Sequence, residues 1–238
     1  MRRLLPLPVA DVVDLWDLYA LPPQPHVRLG FVQSLDGAVT LDGSSRPLSG
    51  PADRVALRTL RATADVVLVG AGTARAEDYG PVPLAEALRH RREEQGWDPR
   101  PVLAVLTRDP SSLDPRSRLL SDPAGRVTVV TAGTSRGTLP DHIEVLALGG
   151  TRVESATAVA VLQERYGPRV LCEGGPRLAA QLLADGLVDE LCLTLSPQLV
   201  GGGARLLPAA LPSAADLTLL SLVESEGELL SRWSLRPR

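Results

Sequence analysis

Lysine and asparagine are absent from the sequence, and Ile143 is its single isoleucine, so all 25 basic side chains other than histidine are arginine. Without lysine, the chain has no residue that forms a Schiff base with pyridoxal phosphate, and it lacks the lysine of a P-loop. These absences exclude pyridoxal enzymes and ordinary P-loop ATPases. The formal net charge of -3 also disfavours a nucleic-acid partner, because proteins that bind nucleic acids electrostatically are usually basic.

Cysteine and histidine are scarce as well. The two cysteines, Cys172 and Cys192, lie in apolar runs that are typical of strands, so we expect buried reduced thiols rather than a disulfide framework. The three histidines are scattered and do not form a pattern of metal ligands, so no metal is predicted. Prolines and aspartates interrupt the opening segment, which therefore predicts neither a signal peptide nor a membrane span. We expect a cytoplasmic protein.

Predicted strands and helices alternate along most of the chain. Helices with proline at the start are predicted at 51–62 and 176–184, and continuous apolar runs at 65–69 and 169–172 predict strands buried on both faces. Further helices are predicted at 83–95 and 151–165, and further strands at 26–33, 101–106, 126–130, 143–147, 187–195, 217–223 and 229–235. This alternation predicts an α/β fold with a mainly parallel central sheet flanked by helices and with antiparallel C-terminal strands.

The first 25 residues are predicted to be an N-terminal arm, followed by one domain at 26–238. Val12, Leu15, Trp16 and Tyr19 have the spacing of one face of a short helix, and the prolines at 22–25 should end it. We expect the arm to pack on the main domain or on a partner subunit.

Two glycine-containing segments follow buried strands. The segment 69–73 (Val-Gly-Ala-Gly-Thr) is compatible with a phosphate or a flat ring near its backbone, but equally with a simple tight turn. In the segment 171–177 (Leu-Cys-Glu-Gly-Gly-Pro-Arg), a strand ends in Glu173 and Pro176 opens a helix. That order is typical of an anion site, because free N–H groups and the helix dipole favour negative charge. The Ser-Leu-Asp-Gly segment at 34–37 is a turn signal, although Asp36 is also an acid that can lie near a bound ring.

Short motifs in a specific order resemble the reductase domain of bifunctional riboflavin-biosynthesis proteins and its stand-alone relatives. They are the segments 34–37, 60–62, 65–73, 173–176, 186–191 (Gly-Leu-Val-Asp-Glu-Leu) and 196–202 (Ser-Pro-Gln-Leu-Val-Gly-Gly). The resemblance implies a dihydrofolate-reductase-like fold, NADPH as the cofactor and a homodimer. It also implies that a phosphoribosylamino-pyrimidinedione is reduced to its ribitylamino form by hydride delivery to the ring-opened sugar imine. The deaminase half of the bifunctional proteins has no counterpart here, so we expect reductase activity alone.

The resemblance also assigns site residues by position. It places Ser45, Arg61 and Glu173 against the substrate. It places the following residues at or near the cofactor: Pro47, Gly72, Thr73, Glu77, Arg108, Gly174, Gly175, Pro176, Arg177 and Leu178. We expect a cis peptide bond between the two adjacent glycines at 174 and 175, and we expect Arg108 to pair with the 2′-phosphate of NADPH.

The chain departs from the family on the substrate side. The family follows its threonine with an Asp-Pro stretch, a leucine and an arginine that helps to hold substrate, whereas residues 77–84 here contain no arginine. Pro47 replaces a larger, often aromatic residue. Reduction of dihydrofolate or another pterin therefore stays an alternative, and a non-catalytic nucleotide-binding protein is a second. A Rossmann-type sugar or ketone dehydrogenase is disfavoured, because the fingerprint glycines and a Tyr-x-x-x-Lys pair are missing.

Imine reduction requires a proton on nitrogen as well as a hydride on carbon. The acids near the predicted site are Asp36, which we expect to serve a pterin-like ring, and Glu173, which we expect to serve the sugar imine. Either carboxyl group would need a raised pKa to donate near neutral pH. The alternative is that Asp36 only holds its turn.

Overall fold

The computed structural model describes residues 1–5, 11 and 13–235, and the ten strands among them form one sheet. The strands are β1 (Arg2–Leu5), β2 (His26–Ser34), β3 (Val66–Gly70), β4 (Val102–Leu106), β5 (Val127–Thr131), β6 (Glu144–Ala147), β7 (Arg169–Gly174), β8 (Glu190–Ser196), β9 (Thr218–Ser225) and β10 (Glu228–Ser234). The helices are α1 (Leu15–Leu18), α2 (Pro51–Ala62), α3 (Ala71–Ala76), α4 (Glu86–Glu94), α5 (Ser155–Tyr166) and α6 (Pro176–Ala184), and 3₁₀ turns lie at Arg46–Leu48 and Pro110–Ser112.

The sheet has the order β1-β9-β10-β8-β2-β7-β3-β4-β5-β6. All neighbours from β8 to β6 are parallel, and the pairs β8–β10, β10–β9 and β9–β1 are antiparallel. The predicted mainly parallel sheet with antiparallel C-terminal strands is therefore confirmed. Both cysteines are buried and unpaired, also as predicted.

Helices cover both faces of the sheet because its central strands are apolar on both faces. In β3, Val67 and Val69 belong to the buried cluster that includes Leu60 of α2, whereas Val66 and Leu68 belong to the cluster with the leucines of α5 and α6. Successive side chains of a strand point to opposite faces, so one continuous apolar run supplies both clusters. Each fully buried leucine contributes about 1.5–3 kcal/mol of transfer free energy.

The N-terminal segment is more closely joined to the sheet than the sequence predicts. Its first strand, β1, pairs with β9 at the sheet edge, and no strand was predicted there. Leu15 and Tyr19 lie in the core, and the Trp16 ring stacks on Trp97 with 5.8 Å between centroids. Val12 lies outside the described residues. The packing of the segment on the rest of the chain agrees with the expectation, while the division at residue 25 stays a prediction.

Several element boundaries differ from the predicted ones. Helix α4 begins at Glu86 rather than at 83, α5 begins at Ser155 rather than at 151, and β8 begins at Glu190 rather than at 187. Helix α3 was not predicted, because Gly70 and Gly72 are typical of a turn. Ala71 and Ala74 are buried against the core and stabilise the helix. No described helix is long and apolar enough to cross a membrane.

Candidate active site

A cleft of about 530 Å³ is lined by the middle of β2 and β8 and by Glu173 near the carboxyl end of β7. Helix α2 forms one wall, and the segment 77–83, which follows α3, forms the other. Gly30, Phe31 and Leu193 contribute to the lining from the sheet, and Tyr19 reaches it from the N-terminal segment. Glu173 lies where ligands bind in open α/β sheets, near the carboxyl end of a strand, so this cleft is the candidate active site.

Glu173 lies in the cleft as the centre of a buried hydrogen-bonded group. Arg61 donates from Nε to Glu173 Oε1 and from Nη2 to Oε2, each at 2.6 Å, and the Tyr79 hydroxyl donates to Oε2, also at 2.6 Å. The Arg61 guanidinium lies 5.6 Å from the Tyr79 ring centroid. Burial, followed by the negative charge of Glu173, raises the pKa of Tyr79 well above its usual value, so Tyr79 stays a neutral hydroxyl donor.

The structure bears differently on the two predictions for Glu173, its place beside Arg61 at the cleft and its role as a proton source. The structure brings Arg61 and Glu173 together at the cleft, as the family assignment implies. The expected role of Glu173 as a proton source has no direct test, but the geometry weighs against it. Arg61 and Tyr79 together engage both oxygens of Glu173 with three hydrogen bonds, two of which come from a guanidinium, so the group is built as an ion pair.

Asp53 is a second buried acid in the cleft, and the sequence did not point to it. It lies in the first turn of α2 and is only 6% exposed. Burial raises its pKa, the hydroxyl donors of Ser49 and Thr194 and the positive charge of Arg54 partly oppose this shift, and the negative charge of Glu173 adds to it. The direction of this shift is the one that a carboxyl group acting as a proton donor requires.

The start of α2 is fixed by a residue from a distant strand. Glu228 of β10 accepts hydrogen bonds from the backbone N–H groups of Gly50 at 3.0 Å and Ala52 at 2.9 Å. A carboxylate at a helix N-terminus satisfies free N–H groups and complements the helix dipole. A Cβ atom on Gly50 would approach Glu228 Oε2 to 2.4 Å, so only glycine fits this cap. The cap holds the turn that carries Asp53.

Asp36 has the opposite environment, which weighs against its predicted role as a proton source, and that role stays a prediction. Ser34 Oγ donates to it at 2.6 Å, and the backbone N–H groups of Val200 and Gly201 donate at 3.0 and 2.7 Å. These hydrogen bonds, with that of Ser34 the largest, hold its pKa well below its usual value. Asp36 does not line the cleft. Its hydrogen bonds join the turn after β2 to the loop after β8, which agrees with the alternative that Asp36 only holds its turn.

The loop 44–49 lies at the mouth of the cleft and is held by Glu77. Glu77 accepts hydrogen bonds from Ser44 Oγ at 2.9 Å and from the Ser45 backbone N–H at 2.6 Å. Ser45 and Glu77 both line the cleft, whereas Pro47 is exposed beside it. Glu77 therefore supports the loop that carries Ser45, and its expected contact with cofactor stays a prediction.

Three exposed arginines lie around the mouth. Arg46 comes from the loop 44–49, Arg54 from α2, and Arg118 from the connection between β4 and β5. Arg118 Nη1 lies 3.0 Å from Asp78 Oδ2, on the wall where the expected arginine of residues 77–84 is missing. The mouth thus carries three arginines from segments that sequence motifs did not indicate, of which Arg46 pairs with Glu77 and Arg118 with Asp78.

The two glycine segments meet beside the cleft. Val69 pairs with Gly174 in the β3–β7 ladder, and a Cβ atom on Gly175 would come within 2.4 Å of Thr73 Oγ1. The peptide bond between Gly174 and Gly175 is cis, which confirms the expectation. We call Gly72, Thr73, Gly174 and Gly175 the glycine cradle.

Helix α6 begins at the cradle with no side chain capping its N-terminus. Pro176 is its first residue, and Arg177 is exposed. The Leu178 side chain is buried in the core, so any contact of this residue with a cofactor must come from its backbone. Farther along the sheet edge, exposed Arg108 lines a smaller cavity of about 170 Å³ with Leu106, Thr107 and Val153.

Comparison with known proteins first identifies the fold class. A dihydrofolate reductase from Enterococcus faecalis complexed with NADP(H) superposes with a TM-score of 0.51 at 11% identity, over 90% of this chain and 98% of that one. A pyrimidine reductase-like protein from Corynebacterium diphtheriae superposes with a TM-score of 0.82 at 26% identity, over 95% of this chain and all of that one. The fold is that of the dihydrofolate-reductase-like class.

The family follows from the sequence match. The model of the RibD C-terminal domain matches residues 25–230, and the chain belongs to that family. A 2,5-diamino-6-ribosylamino-4(3H)-pyrimidinone 5′-phosphate reductase from Archaeoglobus fulgidus is 29% identical over 184 residues, which is 75% of this chain and 83% of that protein. The riboflavin biosynthesis protein RibD from Mycobacterium tuberculosis is 31% identical over 179 residues, again 75% of this chain but only 44% of that protein.

Proposed function

We propose that this protein is an NADPH-dependent reductase of a phosphoribosylamino-pyrimidine of the riboflavin pathway, which it converts to the ribitylamino form. One observation carries the proposal: the cleft and the glycine cradle are adjacent, because Glu173 lines the cleft and Gly174 and Gly175 follow it directly. A cofactor in the cradle would therefore present its reactive ring to a substrate in the cleft. The named relatives support the pyrimidine class.

The residues of the cradle fit a dinucleotide. A Cβ atom at Gly72 would meet no atom within 4 Å, so its backbone is open to close approach, and the free N-terminus of α6 favours the pyrophosphate charge. Thr73 contributes a hydroxyl at the same place. Exposed Arg108, beside the smaller cavity, is the proposed partner of the 2′-phosphate, because a planar guanidinium binds phosphate in a bidentate manner. NADPH would supply the hydride.

The cleft residues would position the substrate and supply the proton. Arg46, Arg54 and Arg118 at the mouth offer charge to the phosphate, and Ser45 lies between them and the interior. As the hydride adds to the imine carbon, Asp53 in its protonated form would give a proton to the nitrogen and would then be reprotonated by water. Its raised pKa supports this role.

Reduction of dihydrofolate or another pterin is the second candidate, and Asp53 favours it specifically. A pterin carries a 2-amino group next to a ring N–H, and one carboxylate can accept both hydrogen bonds. Asp53 offers such a carboxyl group in a buried position on the cleft wall. The same arginines at the mouth would suit the carboxylates of a glutamate tail.

The test is product identification by mass spectrometry. Purified protein and NADPH are offered the phosphoribosylamino-pyrimidine, as dione and as diaminopyrimidinone, and dihydrofolate. Reduction of either pyrimidine with equal NADPH oxidation supports the first proposal, and reduction of dihydrofolate alone supports the second. If NADPH is oxidised with none of the three compounds, both proposals are contradicted, and a non-catalytic nucleotide-binding protein is the remaining interpretation.

In the same series, Arg108→Ala should weaken the affinity for NADPH about tenfold or more and leave the affinity for NADH nearly unchanged. Exposed Arg116, in the same connection but outside both cavities, provides the control Arg116→Ala.

A further inference from the structure

We propose that Tyr19 is a substrate-contacting residue, whose hydroxyl donates a hydrogen bond to a ring carbonyl oxygen at the floor of the cleft. This inference rests on the proposed function and deepens it, because it adds the N-terminal segment to the active site. The match to the family model begins at residue 25, so Tyr19 lies outside the matched part of the chain. The class of ligand is a planar heterocycle with a carbonyl oxygen on the edge that enters the cleft first.

The first step of the argument is that Tyr19 lies deep in the cleft rather than at its mouth. It lines the cleft together with Cys192 of β8 and Ser231 of β10. These three residues are only 2%, 3% and 5% exposed, whereas the three arginines of the mouth are exposed. A flat ring that fills the cleft from the mouth inwards therefore brings its leading edge to Tyr19.

The second step is that the Tyr19 hydroxyl is the uncommitted polar group of this floor. Ser231 Oγ donates to the Leu193 carbonyl at 2.7 Å, and Cys192 Sγ donates to Glu190 Oε1 at 3.2 Å. The Tyr19 hydroxyl makes no hydrogen bond with any residue that the structure describes, and only the backbone of Tyr19 is paired. Buried polar groups nearly always have a hydrogen-bond partner, so a bound ligand is the expected partner here.

The third step is that the Tyr19 ring is held in place without a ligand. Its N–H donates to the Leu15 carbonyl at 2.9 Å, and its carbonyl accepts from Arg28 Nη1 at 3.0 Å. The guanidinium carbons of Arg28 and Arg232 lie 5.7 and 5.9 Å from the ring centroid, and Glu190 pairs with both arginines. A group that is fixed in advance loses little conformational freedom when a ligand binds.

The fourth step is the choice of a carbonyl oxygen as the ligand atom. Burial raises the pKa of Tyr19 well above its usual value, so the hydroxyl keeps its proton and can donate it to a hydrogen bond. Two arginines, Arg28 and Arg232, stand beside the ring against the single carboxylate of Glu190. This excess of positive charge favours the partial negative charge of a carbonyl oxygen over an N–H group. Both pyrimidine forms and pterins carry such an oxygen.

The experiment is Tyr19→Phe, which removes only the hydroxyl and keeps the ring. KM for the phosphoribosylamino-pyrimidine should rise about tenfold with kcat nearly unchanged, because one buried hydrogen bond to the substrate is lost. The affinity for NADPH should stay the same. Urea unfolding without substrate should also stay the same, because the hydroxyl has no partner in the described protein to lose. A merely structural hydroxyl would give the reverse result, lower stability with an unchanged KM.

The matched control is Tyr166→Phe, because the Tyr166 hydroxyl donates to Glu144 outside the cleft. This control should leave KM unchanged. An unchanged KM in Tyr19→Phe, or a rise in KM of equal size in Tyr166→Phe, would overturn the inference.

Calorimetric titration separates the inference from the proposed function, because it measures the contact without turnover. Wild type and Tyr19→Phe are titrated with the pyrimidinedione, the diaminopyrimidinone and dihydrofolate. If the wild type reduces neither pyrimidine but binds one of the three compounds about tenfold more tightly than the variant does, the proposed function fails and the inference stands. Equal affinities of the two proteins overturn the inference alone. If the wild type binds none of the three compounds, both are overturned.

Discussion

At the scale of single residues, two aspartates near the cleft have opposite environments. Asp53 is buried and its pKa is raised, chiefly by burial. Asp36 accepts hydrogen bonds from Ser34 Oγ and from two backbone N–H groups, and its pKa is lowered. Hydrogen bonds to the charged form lower the pKa of a carboxyl group, whereas burial raises it. These opposite shifts give opposite expectations for turnover.

Asp53→Asn should reduce turnover by about 10²–10⁴-fold, the usual contribution of general acid catalysis, with little change in NADPH affinity. The folded-state pKa of Asp53 lies above its reference value of 3.8. Stability that depends on its proton is therefore fully present below that value and is lost as the pH rises through the folded-state pKa. Asp53→Asn has no such proton to lose, so its stability should not fall over the same pH range. Stopped-flow NADPH oxidation and urea unfolding across pH 4–9 measure the two effects.

Asp36→Asn is the comparison for Asp53→Asn. It should weaken the turn and lower stability, yet it should keep the wild-type pH profile of turnover. If Asp36→Asn abolishes turnover in a folded protein while Asp53→Asn retains it, the assignment of the proton source to Asp53 is wrong.

The residue-scale predictions from sequence succeeded where a motif fixed the position. Arg61 and Glu173 were taken from motifs, and the structure joins them at the cleft. Asp53 was missed because an aspartate in the first turn of a helix is usually a surface residue that complements the dipole. Its burial depends on Thr194 and Glu228, more than a hundred residues away. Only the tertiary structure reveals that environment.

At the scale of secondary-structure elements, local signals decided which predictions succeeded. Helices α2 and α6 have the predicted bounds, because proline marks each first turn. Strand β1 was missed because four residues carry too little pattern and its stability comes from pairing with β9. The end of α3, which places Tyr79 in the cleft, was missed because the six residues of this helix also carry too little pattern.

The element-scale prediction concerns the contact between the starts of α3 and α6. Gly175→Ala would place a Cβ atom against Thr73 Oγ1, so either the Thr73 hydroxyl must rotate away or one of the two helix starts must shift. NADPH affinity should fall about tenfold or more, equivalent to about 1.4 kcal/mol per factor of ten. Fluorescence titration measures the affinity, and circular dichroism checks the fold.

Gly202→Ala is the control for Gly175→Ala, because a Cβ atom at Gly202 meets no atom within 4 Å. The double variant Thr73→Ala with Gly175→Ala removes the clashing hydroxyl, so it should recover the stability that the clash costs in Gly175→Ala alone. Normal NADPH affinity in Gly175→Ala alone would show that the cradle does not lie against the cofactor.

At the scale of the whole molecule, one buried ionic group joins the N-terminal segment to the sheet behind the cleft. Glu190 of β8 lies 2.7 Å from Arg28 Nε of β2 and accepts two hydrogen bonds from Arg232 of β10 at 2.8 and 2.9 Å. Arg28 also donates to the Tyr19 carbonyl at 3.0 Å, and Arg232 donates to the Leu18 carbonyl. Tyr19 lines the cleft, so this group connects the N-terminal segment to the site.

Glu190→Gln should therefore destabilise the whole molecule, by about 3–5 kcal/mol, because it leaves Arg28 buried without its anion. Burial alone would raise the pKa of Glu190, but Arg28 and Arg232 lower it well below the reference value of 4.5. The stability that Glu190 contributes is thus fully present above 4.5 and is lost progressively as the pH falls from there through the much lower folded-state pKa. Urea unfolding at pH 7 and pH 4 measures both effects, and the difference between wild type and variant should shrink at pH 4. Exposed Glu154, paired with Arg152, provides the control Glu154→Gln, which should unfold like the wild type. If Glu190→Gln unfolds like this control, the buried group does not hold the N-terminal segment and the sheet together.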